Sequence, residues 1–426
     1  MRRPADLELT GALRARARAA GLQHLDVRAV DTVIGSALDP EPLVVTGRRL
    51  LAARPEAVVR GLGAAALLGG ARRLVLAVPD DLGRDGPAVR RAVAGTGVEL
   101  VELPAAYPTD AAALACDLGG ARPREGGPAP GVAVHDAAAL VHLDGASRGV
   151  AATHAFVTIA GAVARPQVRA VPVGTSVAAL GAAAGGAATP AWVALRGGAL
   201  RGVLAERDDV VTAADDAVVV LPHDHPLVAA RRLPLGDQVR RALAACEACG
   251  TCTAHCPPAL LGHRIAPHEI VRAVSYLRDD LTPALEAATR CFGCGVCEIV
   301  CPTGLSPRAL YAGVRAELAR RRVAPGEGAP PAAAHPDRPG RRLAFARVVT
   351  RLGLGAYVPQ PPWAPGALAV PRVTIPVGAA ALAVARGDRV AVGDPLARAA
   401  DGTVVPASIT GVVEAVADGQ VVIRAG

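Results

Sequence analysis

The sequence predicts a multidomain protein of mixed α/β and α+β class, with a parallel α/β domain, a small α+β unit, a mainly helical region and a small all-β unit in that order. Three observations carry this. From Leu43 to Leu143 short β-type runs alternate with Ala-rich amphipathic segments, the pattern of a parallel sheet with crossover helices. Eight of the nine cysteines gather between Cys246 and Cys301, flanked by helical periodicity. Beyond about residue 370 the chain alternates apolar and polar residues between turn signals such as "RGD" and "ADG". At 426 residues, and with about 100–200 residues per domain, three or four units are expected.

Within the first unit "LVVTG" (43–47) is expected as a strand and "RPEAVVRGLGAAALLGGA" (54–71) as a helix. "RRLVLAVP" and "VELVELP" then read as strands around the helix "PAVRRAVAG", and "TDAAALACDLG", "GVAVHD" and "AAALVHL" as helix, strand and helix. The "GLG" at Gly61–Gly63 has no strand immediately before it, so it is read as helix and not as a dinucleotide-binding turn. Composition changes near Ala152. "HAFVTIAGAVARPQVRAVPVGTSVAALGAAAGG" reads as strand, Pro turn, strand and short helix, and "AWVALRGG" adds a strand. A helix over Leu235–Ala245 leads into the cysteines. Between the two cysteine groups, Ile270, Val271, Val274 and Leu277 recur at helical spacing, with a second helix from Pro283. "PRALYAGVRAELARRR" is helical again. A Pro- and Gly-rich stretch, "VAPGEGAPPAAAHPDRPGRR", is expected to be a mobile linker.

Composition removes several function classes. The net charge is +8, yet there are 3 Phe, 4 Tyr and 2 Trp, no Lys, and no basic run interleaved with rings, so no nucleic-acid partner is expected. "MRRPADLELTG" has no apolar run to serve as a secretory signal. The longest uncharged span, Ala170 to Leu195, is broken by Pro172 and Pro190, so no transmembrane segment is expected. Cysteines confined to two tight groups argue for a reducing, cytoplasmic setting and metal ligation instead of disulfides.

Those groups are "CEACGTCTAHCPP" (246–258) and "CFGCGVCEIVCPT" (291–303), two copies of C-x₂-C-x₂-C-x₃-C-P. Three thiolates from one tight loop suit three corners of a [4Fe–4S] cube, and in such pairs the fourth cysteine, followed by Pro, ligates the other cube. Cys246, Cys249, Cys252 and Cys301 are therefore expected to hold one cluster, and Cys291, Cys294, Cys297 and Cys256 the other. Zinc sites pair C-x₂-C units and do not use this triple spacing. Gly250, Gly293 and Gly295 free backbone N–H groups to face sulfur. His255 is read as a packing residue, His223 and His225 in "PHDHP" as solvated, and Cys116 as a small buried hydrophobe.

With these residues in place, the layout resembles the cobalamin reductase flavoproteins of propanediol-utilisation microcompartments. It is also similar to the C subunit of the Rnf electron-transport complex, and both are relatives of the NADH- and FMN-binding subunit of respiratory complex I. "VDTVIGSALDPEP", "ELPAAYPTDA", "GVAVHDAAAL", "VTIAGAVARPQVRAVPVGTSV" and "IPVGAAALAVARGDRVAVGDPLA" carry the resemblance. It implies a complex I-like α/β domain (1–151), a β-grasp (SLBB) unit (152–234), an α-helical dicluster ferredoxin domain (235–322), a Pro/Gly-rich linker (323–366) and a C-terminal all-β barrel-sandwich unit (367–426). Related barrel-sandwich modules carry lipoyl or biotin on Lys, and a chain without Lys carries neither.

The departures fall on one site. The family's G-x-G-G-x-G-F-P loop, which wraps the flavin phosphate and the nicotinamide, has no counterpart in residues 1–29. The acidic turn is Leu38-Asp39-Pro40-Glu41-Pro42, without the family's first Glu and its Cys, and Asp110 and alanines follow Tyr107-Pro108 in place of Gly and Glu. Glu41 and Tyr107 therefore read as remnants of an FMN site. The expected function is electron transfer through two [4Fe–4S] clusters, from a flavoprotein or ferredoxin donor to a reductase or corrinoid-enzyme acceptor. The alternative is an FMN-containing NAD(P)H-dependent oxidoreductase. Expected locations are the cytoplasm, a microcompartment lumen or the periphery of a membrane complex.

Overall fold

Helix α1 (Pro4–Ala19) precedes β1 (Thr32–Ser36), α2 (Thr46–Ala53), α3 (Pro55–Gly69), β2 (Arg73–Pro79), α4 (Gly86–Val93), β3 (Val98–Leu103), β4 (Ala106–Tyr107), α5 (Ala111–Gly119), β5 (Val132–Asp136) and α6 (Ala137–Ser147). The computed structural model describes residues 4–22, 29–109, 111–120, 129–275, 283–323 and 332–426. Four strands form a parallel sheet in the order β3-β2-β1-β5. β1 and most of β2 are buried on both faces, as a helix-covered parallel sheet requires. Val33, Leu76 and Val78 face α1, α3 and α6, while Ile34, Val75 and Ala77 face Leu114 and Ala115 of α5.

"LVVTG" does not form the expected strand. The chain turns through a Glu41–Val44 bridge, Leu43 takes a positive φ of 70°, and Val45 caps α2. The run is apolar because it is buried, and a short apolar run has no periodicity that separates strand from helix. The "GLG" does lie inside α3. A methyl on Gly61 would sit 1.9 Å from the carbonyl oxygen of Leu140 in α6, whereas nothing lies within 4 Å of one on Gly63. Gly61 is there for a close helix crossing.

The chain continues as β6 (His154–Gly161), β7 (Gln167–Pro172), α7 (Val177–Ala183), β8 (Trp192–Arg196), β9 (Val203–Ala205) and β10 (Ala217–Pro222). The helical region follows as α8 (Pro226–Arg232), α9 (Leu235–Ala245), α10 (Thr251–Ala254), α11 (Pro257–Leu260), α12 (Pro267–Ser275), α13 (Pro283–Glu286), α14 (Val296–Val300) and α15 (Pro307–Arg320). Leu277 lies outside the described residues.

The stretch expected to be a linker is structured from about residue 339. It forms β11 (Leu343–Ala344), α16 (Phe345–Arg351) and β12 (Trp363–Ala367). β11 pairs antiparallel with β4, placing Leu343 opposite Tyr107, and β12 pairs parallel with β7. The Pro-rich composition shows no intrinsic periodicity, and two open strand edges supply the order instead. β12 thereby completes a six-stranded sheet, β12-β7-β6-β10-β8-β9. One apolar core joins Leu43 and Tyr107 to Leu195 and Leu221 of this sheet, to Val296 of α14 and to Val348 of α16.

The last unit comprises β13 (Arg372–Pro376), β14 (Ala381–Leu382), β15 (Arg389–Val390), β16 (Pro395–Arg398), β17 (Val404–Pro406), β18 (Gly411–Ala417) and β19 (Gln420–Ala425) in two small sheets around Val373, Leu396 and Val421. No helix among the described residues is long and apolar enough to cross a membrane.

The α3–α6 contact makes a direct prediction. Gly61→Ala should destabilise by about 1–3 kcal/mol through overpacking, while Gly63→Ala should be neutral or stabilising by about 0.5–1 kcal/mol. Thermal unfolding of the two variants side by side checks this, and equal melting temperatures would contradict the close crossing.

Candidate metal centre

The two cysteine loops share one backbone course. α9 ends at Cys246, and two residues on Ala248 adopts φ +51°, followed by Gly250 at +73°, which caps α10. In the second loop Gly293 (+71°) and Gly295 (+76°) occupy the same places, and Gly295 caps α14. Ala248 takes the left-handed conformation against a cost of about 1–2 kcal/mol for a side chain with a Cβ, so the loop shape is imposed by its surroundings. The fourth cysteine of each motif leaves the loop in the same way, Cys256 at φ −69°, ψ 117° and Cys301 at φ −66°, ψ 118°. A proline follows each, so a helix cannot continue through the cysteine.

This geometry carries each fourth cysteine to the opposite loop. Cys256 faces Cys294 and Cys291, and Cys297 faces Cys294, Cys291 and Cys256. Cys252 faces Cys301 and Cys249, and Cys246, Cys249, Cys252 and Cys301 together line a cavity of about 30 Å³. Cys256, Cys294, Cys297 and Cys301 are buried, Cys246, Cys252 and Cys291 are half-buried, and Cys249 is exposed.

Burial makes four of the motif thiols poorer acids. Burial pushes Cys252 up to about 11 and holds Cys256, Cys297 and Cys291 above the usual thiol range. Cys249 goes the other way, lowered by the Thr251 hydroxyl and N–H. Metal ligation requires thiolates, and an apolar pocket accepts them only with a cation that compensates their charge. The eight sulfurs make a soft donor set; Glu247 and His268 also line the cavity of the first loop, with His268 Nδ1 2.7 Å from the Thr253 hydroxyl. Among the described residues no group of three or more Cys, His, Asp or Glu side chains gathers around a point where a single ion would sit. Backbone donors also turn toward sulfur: the N–H groups of Gly293 and Leu305 lie 3.4 Å from Cys291 Sγ and Cys301 Sγ. The donor set fits iron–sulfur clusters.

Around the loops stands a shell that sequence inspection misses. Arg315 donates to the Cys291 carbonyl at 2.7 Å, Arg351 to that of Cys301 at 2.8 Å, and Arg341 to that of Ala254 at 2.8 Å. These guanidiniums meet the carbonyl ends of the short helices, where positive charge is favoured. Glu298, next to Cys297, is held by Arg308 at 3.0 Å and Arg231 at 3.7 Å. Each partner lies far away in sequence and belongs to no motif, so no local signal marks it.

The remaining sequence candidates separate. His255 Nδ1 lies 3.1 Å from the Thr251 carbonyl within its own turn, and so packs. His223 is exposed while His225 is buried and accepts the Leu227 N–H at the start of α8, so "HDH" forms no joint site. Cys116 is half-buried rather than buried, because α5 turns it toward the edge of its contact with the sheet.

Glu41 and Tyr107 are both fully engaged. Tyr107 is completely buried and its hydroxyl donates to the Cys294 carbonyl. The buried Glu41 carboxylate accepts the N–H groups of Leu200 and Arg201, the latter at 3.2 Å, and Gly198 leaves no room for a Cβ beside it. Burial raises the Glu41 carboxyl above the usual range despite these bonds.

The cavity beside Glu41 is lined with ion pairs. At the C-terminal ends of β1 and β2 a cavity of about 290 Å³ is lined by Asp39, Glu41, Asp81 and Arg48. Arg48 is committed to Asp39 at 3.1 Å and to Asp81 at 2.5 Å. The β1–α2 connection, residues 37–45, contains no glycine, so it offers no backbone anion nest of the usual kind. Residues 23–28 and Asp110 lie outside the described residues.

Residues 245–306 match the family of 4Fe-4S dicluster domains. Over 441 aligned positions the chain is 30% identical to cobalamin reductase PduS of Salmonella typhimurium, covering 97% of this chain and 96% of that protein. It is 29% identical to cobalamin reductase PduS of Citrobacter freundii with the same coverage. Among solved structures, a chain of the NAD+-reducing [NiFe]-hydrogenase in its H2-reduced state aligns with a TM-score of 0.44 at 18% identity, over 77% of this chain and 64% of that one.

The role of Glu41 is testable. Glu41→Ala strips two buried N–H groups of their acceptor, a loss of about 1–3 kcal/mol. Hydrogen exchange at Leu200 and Arg201 should accelerate and the melting temperature fall; unchanged exchange at both amides would contradict this anchoring.

Proposed function

The chain belongs to the cobalamin reductase family, and on that premise we propose that it relays electrons through two [4Fe–4S] clusters, one held by Cys256, Cys291, Cys294 and Cys297 and the other by Cys246, Cys249, Cys252 and Cys301. The observation that supports this reading is that Cys301 lines one cavity with Cys246, Cys249 and Cys252, while Cys294 and Cys291 act on Cys256 ahead of Cys252 of its own motif. A cube supplies one-electron acceptance and release at a potential set by charge, hydrogen bonds to sulfur and exposure. The chain's part is to keep water from the first set with the apolar shell of Ile270, Ala288, Leu310 and Tyr311, and to place arginines where added negative charge is favoured. The second set includes the exposed Cys249, so that side is where a partner delivers or collects the electron.

In this reading the complex I-like α/β domain (1–151), the β-grasp unit (152–234) and the barrel-sandwich unit (367–426) serve as scaffold and docking surface around the dicluster domain. Electrons arrive from a partner flavoprotein or ferredoxin and leave to a reductase or a corrinoid enzyme. The name of the curated relatives supports the corrinoid direction. A self-contained FMN- and NAD(P)H-dependent reductase is the second reading. Full-length similarity to reductases favours it, and the acidic, ion-paired lining at the C-terminal edge of the parallel sheet weighs against it.

The crossed assignment has its own test in anaerobically reconstituted protein. Cys256→Ala should perturb the same electron paramagnetic resonance signal as Cys294→Ala and leave the signal lost in Cys249→Ala. If Cys256→Ala and Cys249→Ala abolish one common signal, each motif serves its own cluster and the crossing is wrong.

A further inference from the structure

Among the buried polar groups of the metal region that neither the motifs nor the fold accounts for is a tyrosine hydroxyl. Tyr311, on α15, is 1% exposed and belongs to the apolar core formed by Cys256, Cys301, Ile270 and Leu310, against which Cys246 and Cys291 also pack. It packs in one core with Cys256 of one thiol set and Cys301 of the other, and the thiols that act on its phenol are, strongest first, Cys297, Cys256, Cys252 and Cys291. Its hydroxyl is shut off from solvent and has no hydrogen-bond partner among the described residues.

An orphaned hydroxyl in an interior costs about 1–3 kcal/mol, and a Phe at the same place would avoid that cost. Buried tyrosines usually find an acceptor. Tyr107, which reaches the cluster loops from the α/β unit, does so at the Cys294 carbonyl. Within the otherwise aliphatic core around Tyr311 the polar side chains are thiols, Cys256 and Cys301 with Cys246 and Cys291 packed against them, and thiols become strong acceptors once they are thiolates around iron.

We propose that Tyr311 is a positioning and potential-setting residue, whose phenol O–H donates a hydrogen bond to the sulfur shell of the cluster held by Cys256, Cys291, Cys294 and Cys297. The inference rests on the two-cluster reading above. The phenol keeps its proton throughout; a single electron enters from the reductant and leaves to the next carrier, and no bond to Tyr311 forms or breaks. A donor aimed at sulfur stabilises the more negative, reduced form and so raises the reduction potential. The buried cluster is thereby made the easier one to reduce than its apolar surroundings alone would allow, which favours electron flow inward from the Cys249 side.

The test is Tyr311→Phe in the full chain, with iron content and potentiometric titration followed by electron paramagnetic resonance. Iron content first decides whether wild-type protein holds two cubes, which tests the underlying reading separately. With iron retained, the variant should lower one of the two midpoint potentials, by up to about tenfold in the one-electron equilibrium, or 59 mV, and leave the other in place. Two unchanged potentials would overturn the proposal. Should Tyr311→Phe fail to load iron, wild-type protein grown with 3,5-difluorotyrosine at its 4 tyrosines gives the answer. A stronger phenol donor should raise the same potential, and no shift would overturn the proposal.

Discussion

A thiolate buried among apolar side chains is tolerated only when a cation compensates it, and the middle of this protein is built around that constraint. Seven of its eight motif sulfurs are at least half-buried, and burial holds several of them in the protonated range where they bind nothing. Iron supplies the compensation. In the crossed arrangement proposed above each loop needs the other's fourth cysteine, which would couple folding of the helical region to loading of metal. Left-handed Ala248, tolerated where the second loop uses Gly293, shows how strictly the loop course is held.

The constraint reaches outward through side chains that touch backbone, not metal. Tyr107 comes from the parallel α/β unit and bonds the Cys294 carbonyl; Glu41 comes from the same unit and holds the 200–201 turn, whose Leu200 packs on Gly295. Arg341 and Arg351 come from the strap that follows the helical region. Residues that resemble parts of a flavin site thus brace the cluster loops. The strap that reads as a linker contributes Phe345, Ala346 and Val349 to the lining of the cavity beside Glu41.

What was legible in the sequence follows from where the information is local. The C-x₂-C-x₂-C-x₃-C-P spacing encodes a loop geometry by itself, and Leu235–Ala245 or Arg73–Pro79 show their periodicity without any partner. "LVVTG" misleads because burial, and not strand geometry, makes it apolar. The strap misleads because its order comes from the free edges of β4 and β7, hundreds of residues away in places. The arginine shell is invisible for a related reason: with every one of 46 basic residues an Arg, no single guanidinium stands out until the fold brings it to a carbonyl. Tyr311 likewise sits in an ordinary helical pattern, and only its lack of a partner in the interior marks it.

The proposed function makes the clusters, and not a flavin, the redox centres of this chain. Iron, acid-labile sulfide and flavin analysis of the same anaerobically purified sample tests it most directly. The account predicts about eight irons per chain, four for each cube, together with no flavin above trace. One FMN bound per chain would contradict it, and would return Glu41, Tyr107 and the cavity beside them to the role their resemblance first implied.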